Sequence, residues 1–96
     1  MTSAPQGPSG LVHLTAREAQ VLAALAASAN SQAAAAALGV SRRTVDSHIA
    51  AMLRKAGLRN RTELLALAVA HDIIDMSATP PRWTGRTSLP FPEDAG

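Results

Sequence analysis

The chain has 96 residues, no cysteine, nine Lys or Arg against seven Asp or Glu, and a formal net charge of +2. The absence of cysteine excludes disulfides and thiolate metal sites and is compatible with a reducing cytoplasm. Charges interrupt every apolar stretch short of a membrane span, and Met1 to Gly10 has neither the basic nor the apolar region of a signal peptide.

Met1 to Gly10 is rich in Pro, Gly and Ser without periodicity, and reads as a flexible arm or the end of a linker. A first helix starts at Thr15. Thr15-Ala16-Arg17-Glu18 is a capping box, in which the Thr hydroxyl serves the Glu18 N–H and the Glu carboxylate reaches back to the Thr15 N–H. Val21, Leu22 and Leu25 supply its buried face, and the helix should end between Ala27 and Ala29. A second helix covers Gln32 to Leu38, capped by Asn30 or Ser31. Ala33 to Ala37 favour helix strongly but carry little volume. They are either low-complexity filler or small side chains that let this helix approach its neighbours.

Gly39 and Val40 make a tight turn into the third helix, Arg42 to Ala56. Ser41 is its N-cap, and Gly57 fits the position past its end where positive φ costs glycine nothing. Val45, Ile49, Met52 and Ala56 fall at i, i+4, i+7 and i+11, a stripe that faces a core. Arg42, Arg43, Asp46, Ser47, Ala50 and Arg54 lie away from it. Two short helices joined by a glycine turn make a helix-turn-helix, whose second helix enters the DNA major groove. Counted from Ser31, Ala35 stands fifth, Gly39 ninth and Val45 fifteenth. These positions need a close helix crossing, a positive φ and an apolar anchor.

The fourth helix starts with Asn60-Arg61-Thr62-Glu63, a second box-like cap, and continues through Leu64, Leu65, Leu67, Ala68 and Val69 towards Ile73. Its apolar arc is wider than one stripe, so it should be covered twice, by its own domain and by a second copy of the chain. Leu64, Leu65, Ala68, Val69 and Asp72 are the expected homodimer interface; the alternative is an ordinary core helix. Ser77 to Gly96 carries Pro80, Pro81, Pro90 and Pro92 and should be largely irregular. Its Trp83, Leu89 and Phe91 either dock on the domain or form a partner-binding peptide.

Between Ser41 and Arg61 lie Arg42, Arg43, Arg54, Lys55, Arg59 and Arg61 against Asp46 alone. That local excess is the electrostatic footprint of a nucleic-acid site, or else a solvated helix face.

Leu14-Thr15-x-Arg17-Glu18-x-x-Val21-Leu22, then Ala35-x-x-Leu38-x-Val40-Ser41-x-x-Thr44-Val45-x-x-His48, then Lys55-x-Gly57-Leu58-x-Asn60-Arg61-x-Glu63 resembles the LuxR-type (GerE-like) DNA-binding domain. The resemblance runs ungapped from about Leu14 to Ile74. It implies an all-α, four-helix DNA-binding domain that dimerises largely through its last helix; with the tails read from composition, the domain is expected over residues 11–76, between a flexible arm at 1–10 and an irregular Pro-rich tail at 77–96 that either docks or stays flexible. It also implies either a stand-alone regulator or the effector domain of a longer one. The sequence departs from the family pattern at four places. Ser28 replaces the usual glycine after the first helix. Ser31-Gln32-Ala33-Ala34 replaces the usual Asn-Lys-Glu-Ile. Asp46 and Ala50 stand where basic residues are common. An acid there faces the negative charge of DNA unless it accepts from a cytosine amine or pairs with Arg42, Arg43 or Arg54.

The expected DNA contacts are Ser41, Arg42, Arg43, Thr44, Asp46, Ser47, Ala50, Arg54, Lys55 and Arg61. Arginine forks suit guanine and phosphate, and Ser41 and Thr44 sit at a helix N-terminus where phosphate binds. His48 resembles a family histidine that packs on the scaffold. His13 and His71 have no metal-ligand spacing, so neither metal nor cofactor is expected. No nucleophile–base pair, paired carboxylates or phosphate loop supports an enzyme. The function expected is that of a bacterial transcription regulator, cytoplasmic and at the nucleoid. It would bind double-stranded DNA as a homodimer, with RNA polymerase or another regulator as a further candidate partner and no membrane association. The alternative is a protein-interaction module on the same scaffold with weak or lost DNA binding.

Overall fold

Every helix begins where a short polar side chain takes an amide that the helix itself leaves unpaired. The computed structural model describes residues 11–28 and 30–90; the arm expected at residues 1–10, Ala29 and Phe91 lie outside the described residues. In α1 (Ala16–Ala27) Thr15 Oγ1 accepts from the Glu18 N–H at 3.0 Å, and the Thr15 N–H donates to Glu18 Oε1 at 2.8 Å. In α2 (Ser31–Leu38) Asn30 Oδ1 accepts from the Ala33 N–H at 2.9 Å. Asn30 is therefore the cap, and the helix starts one residue before the expected Gln32. In α3 (Arg42–Ala56) Ser41 Oγ accepts from the Thr44 N–H at 3.0 Å. In α4 (Arg61–Ala70) Asn60 Oδ1 accepts from the Glu63 N–H at 3.0 Å. The Glu63 carboxylate reaches past the cap to the Arg59 N–H at 2.9 Å, so the returning half of that box is displaced by one residue.

Three helices end with the same device. The N–H groups of Val40, Leu58 and Ile73 donate to the carbonyls of Ala35, Leu53 and Ala68 at 3.0, 3.0 and 2.8 Å. The residue before each has positive φ: Gly39 at 72°, Gly57 at 69° and Asp72 at 61°. Glycine takes this conformation freely; aspartate takes it at some cost, as one of the few other residues that visit it. The Asp72 turn has a consequence for the core. It halts α4 at Ala70 and aims Ile73 and Ile74 inward, where both are buried. The expectation that Ile73 prolongs the helix is corrected accordingly.

Residues 77–90, expected to be largely irregular, hold regular pairing. β2 (Ile74–Asp75) runs antiparallel to β3 (Arg82–Trp83), with Ile74 opposite Trp83. β1 (Leu11–His13) runs antiparallel to β4 (Ser88–Pro90), with Val12 opposite Leu89. The Leu14 N–H donates to the Thr87 carbonyl at 2.8 Å and the Thr84 N–H to the Ile73 carbonyl at 3.0 Å. The chain thus returns to its own beginning, and Leu89 is fully buried while Trp83 packs against the core.

One core holds all of this. It joins Val21, Leu22 and Leu25 of α1, Val45, Ile49, Met52 and Ala56 of α3, and Leu64 and Ala68 of α4 to Val12, Leu14, Ile73, Ile74 and Leu89. Each of the large, fully buried side chains contributes about 1.5–3 kcal/mol. The alanine helix divides by face. Ala34 and Ala35 are buried, letting α2 sit close to α1 and α3, whereas Ala33, Ala36 and Ala37 are exposed.

Candidate nucleic-acid interface

α3 has two sides. Val45 and Met52 are wholly buried, and Ile49 and Ala56 nearly so, which fixes the rotation of the helix. At about 100° per residue, Asp46, Ala50, Arg43, Arg54 and Ser47 then share an outward arc of about 100°. All five are exposed. At the start of the helix the hydroxyls of Ser41 and Thr44 share a hydrogen bond of 3.0 Å beside the first-turn amides, the kind of place where phosphate oxygens are held.

Among the described residues two ion pairs form, and both involve expected contact residues. Arg42 Nε lies 3.5 Å from Asp46 Oδ2, with both side chains more than half exposed. Such a pair is held weakly and competes with solvent. Lys55 Nζ donates to Glu18 Oε1 at 2.7 Å and to the His13 carbonyl at 3.2 Å. Glu18 is buried. Burial would raise its pKa, but the Lys55 hydrogen bond, the Thr15 N–H and the positive charges of Lys55 and His48 outweigh that and hold it below the usual carboxylate value. Lys55 therefore ties the last turn of α3 to α1 and β1. Arg61 is likewise engaged: its Nη1 donates to Ser31 Oγ at 2.9 Å, and Ser31 is buried.

The N-terminal ends of α2, α3 and α4 meet at a polar cleft of about 460 Å³ lined by Asn30, Ser31, Gln32, Arg42, Asp46 and Arg61. Arg61 from the start of α4 is thereby brought beside Arg42 and Asp46 of α3. Asn30, Ser31 and Gln32 were not among the expected contacts. No spacing signals them, because their cationic neighbours come from other helices. Among the described residues no three His, Asp or Glu side chains converge as a metal site would require, and no helix is long and apolar enough to cross a membrane.

The expected dimer residues divide between inside and outside. Leu64 and Ala68 are completely buried in the domain's own core. Leu65 is half-buried, while Val69 and Asp72 are exposed. Val69, Asp72, Ile74 and Met76 border an open groove of about 380 Å³ that also reaches Asp75, Thr84 and Arg86. Thr84 closes one side by donating its hydroxyl to the Asp72 carbonyl. Hydrogen bonds from the Ser77 hydroxyl and N–H hold the Asp75 carboxyl below its ordinary pKa.

A helix-turn-helix with a buried stripe and an exposed, arginine-bearing arc limits the candidates, and the comparison with known families decides among them. The model for bacterial regulatory proteins of the luxR family, GerE, matches residues 12–68. The chain belongs to the LuxR family. The matched span covers α1 to α3 and most of α4, so the whole helix-turn-helix lies inside it. Compared with curated proteins and with solved structures, the chain matches none. The LuxR-type helix-turn-helix is a DNA-binding domain and the family is non-enzymatic. Residues 69–90 of this LuxR-family chain, including β2 to β4, lie beyond the matched span.

Proposed function

We propose that this chain is a transcription regulator that binds duplex DNA as a dimer, with α3 lying in the major groove. The observation that carries this is the outward arc of α3: Arg43, Ser47, Ala50 and Arg54 are exposed on a helix whose opposite stripe is locked in the core. An exposed helix of this width fits the groove, and arginine forks suit both guanine edges and phosphates. Arg42, Arg61, Ser41 and Thr44 flank that arc as backbone contacts. Lys55 belongs to the scaffold in this reading, because its ammonium serves Glu18. The outer side of α4, with Leu65 and Val69, together with Asp72 in the turn after it, is the surface offered to a second copy.

The test is selection of bound sequences from a random duplex pool, followed by titration of the best duplex at several salt concentrations. A monomer that neutralises about four phosphates gives a slope of log K against log salt near −3.6. Arg43→Ala should lower affinity about tenfold with the fold unchanged. An unenriched pool together with no salt-dependent binding would overturn the proposal. A second reading, a protein-interaction module with weak DNA contact, is favoured by one observation, the acidic Asp46 on the arc. It requires that the pool stay unenriched while RNA polymerase or another regulator is retained by the immobilised chain.

A further inference from the structure

We infer that Asp46 is the specificity-determining residue of this domain, and that it reads the amine of one cytosine in each half-site. The inference rests on the DNA-binding reading above and goes beyond it by assigning one side chain to one kind of base edge.

Asp46 is the single acid of α3. It stands on the exposed arc beside Ala50, one helical turn after Arg42, at the border between that arc and the polar cleft. Its partner in the free protein is the Arg42 guanidinium at 3.5 Å, with the two side chains 65% and 51% exposed. An i,i+4 pair exposed to that degree is weak and screened by salt. A DNA phosphate is a stronger, bidentate partner for arginine. Contact with a duplex therefore draws Arg42 to the backbone and leaves the Asp46 carboxylate facing the groove without its counter-charge.

An ionised carboxylate only accepts hydrogen bonds. Phosphates, guanine O6 and N7, and thymine O4 are acceptors too, so each of them repels it. Two bases offer an amine in the major groove. Adenine presents N6 beside the acceptor N7, which penalises a carboxylate placed to receive the amine. Cytosine presents N4 with no acceptor on the same base edge. Cytosine is thus the one base that satisfies Asp46, and every other base leaves a desolvated charge unpaired. The residue acts mainly by exclusion: it weakens binding to the general run of DNA while a site with cytosine in register escapes the loss.

The experiment takes the full chain, D46A and D46N through selection from one random duplex pool. Affinities are then measured at fixed salt for the wild-type consensus and for its single-base variants. The wild type should select one position per half-site at which cytosine is preferred about tenfold. D46A should reduce the preference there to within about twofold, bind non-consensus duplex more tightly, and leave preferences at other positions intact. D46N should move the preference at that position to adenine, because an amide pairs with N6 and N7 together. Unfolding midpoints of the variants should match the wild type, since the residue is exposed. A wild-type consensus whose preferences all persist in D46A, or one with no required cytosine, overturns the inference and leaves DNA binding standing. A pool that the wild type fails to enrich overturns the DNA-binding reading itself, and the inference with it.

Discussion

Burial alone would push the Glu18 carboxyl towards its neutral form, yet the Lys55 ammonium 2.7 Å away, the Thr15 N–H and the charge of His48 keep it ionised below the usual carboxylate range. One side chain therefore caps α1 and clamps the end of α3 to it. Because the folded-state pKa is lowered, the unfolded chain binds more protons at acid pH. The stabilisation is fully present above the ordinary value of 4.5 and is lost as pH falls through the folded value. Urea unfolding between pH 3 and 7 should show this acid limb in the wild type. It should be flatter in Glu18→Gln, which keeps the capping geometry but does not titrate. Lys55→Met should cost about 1–3 kcal/mol at neutral pH, because it leaves a buried carboxylate short of a hydrogen bond. It should also remove or reverse the Glu18 part of the acid limb, because burial then raises the folded-state pKa and protonation no longer costs stability. Superimposable pH profiles for the wild type and Glu18→Gln would refute this account.

Among the elements, the return of residues 87–90 to the start of the chain adds to what the helices supply. Leu89 is fully exposed in neither direction: it is buried between β1 and the helical core. Leu89→Ala should destabilise the domain by about 2–5 kcal/mol, a large share of the stability of so small a chain. Thermal unfolding reads the loss, at about 4–8 °C per kcal/mol for a domain of this size. Met76→Ala on the exposed side should change stability by no more than about 0.5 kcal/mol. Equal, small effects at both positions would mean that β4 is not part of the folding unit. These strands were also the least legible part of the sequence. The helix starts at Thr15, Ser41 and Asn60 and the turns at Gly39 and Gly57 are written locally, within three or four residues. β3 and β4 are two and three residues long and lie among prolines, and β4 pairs with residues far away in the chain, as Ser88 does with His13. The site divides in the same way. Arg42 and Asp46 are visible as an i,i+4 pair, whereas Arg61 with Ser31 and Lys55 with Glu18 join residues 30 and 37 apart. No periodicity reports such contacts, so the sequence shows the Lys55 charge but not its partnership with Glu18.

For the molecule as a whole, the arc of α3 and the outer side of α4 set different demands, and a substitution on one should leave the other intact. Val69 is 37% exposed, and it borders the groove with Asp72 and Met76. A dimer built on that surface presents two copies of α3 to half-sites about one helical turn apart, roughly 34 Å. Linking two half-site contacts raises overall affinity by roughly 10²–10⁴ without new contacts to DNA. Val69→Glu places a charge in the proposed interface, on the groove that Val69 shares with Asp72. Light scattering should then give the mass of one chain where the wild type gives two. Affinity for a duplex with two half-sites should fall by roughly 10²-fold or more, while affinity for an isolated half-site stays within about twofold. Arg43→Ala should do the opposite, weakening both duplexes with the mass unchanged. A dimer that survives Val69→Glu would place the two-fold contact elsewhere, and a wild type that is monomeric on its two-half-site duplex would remove dimerisation from the mechanism.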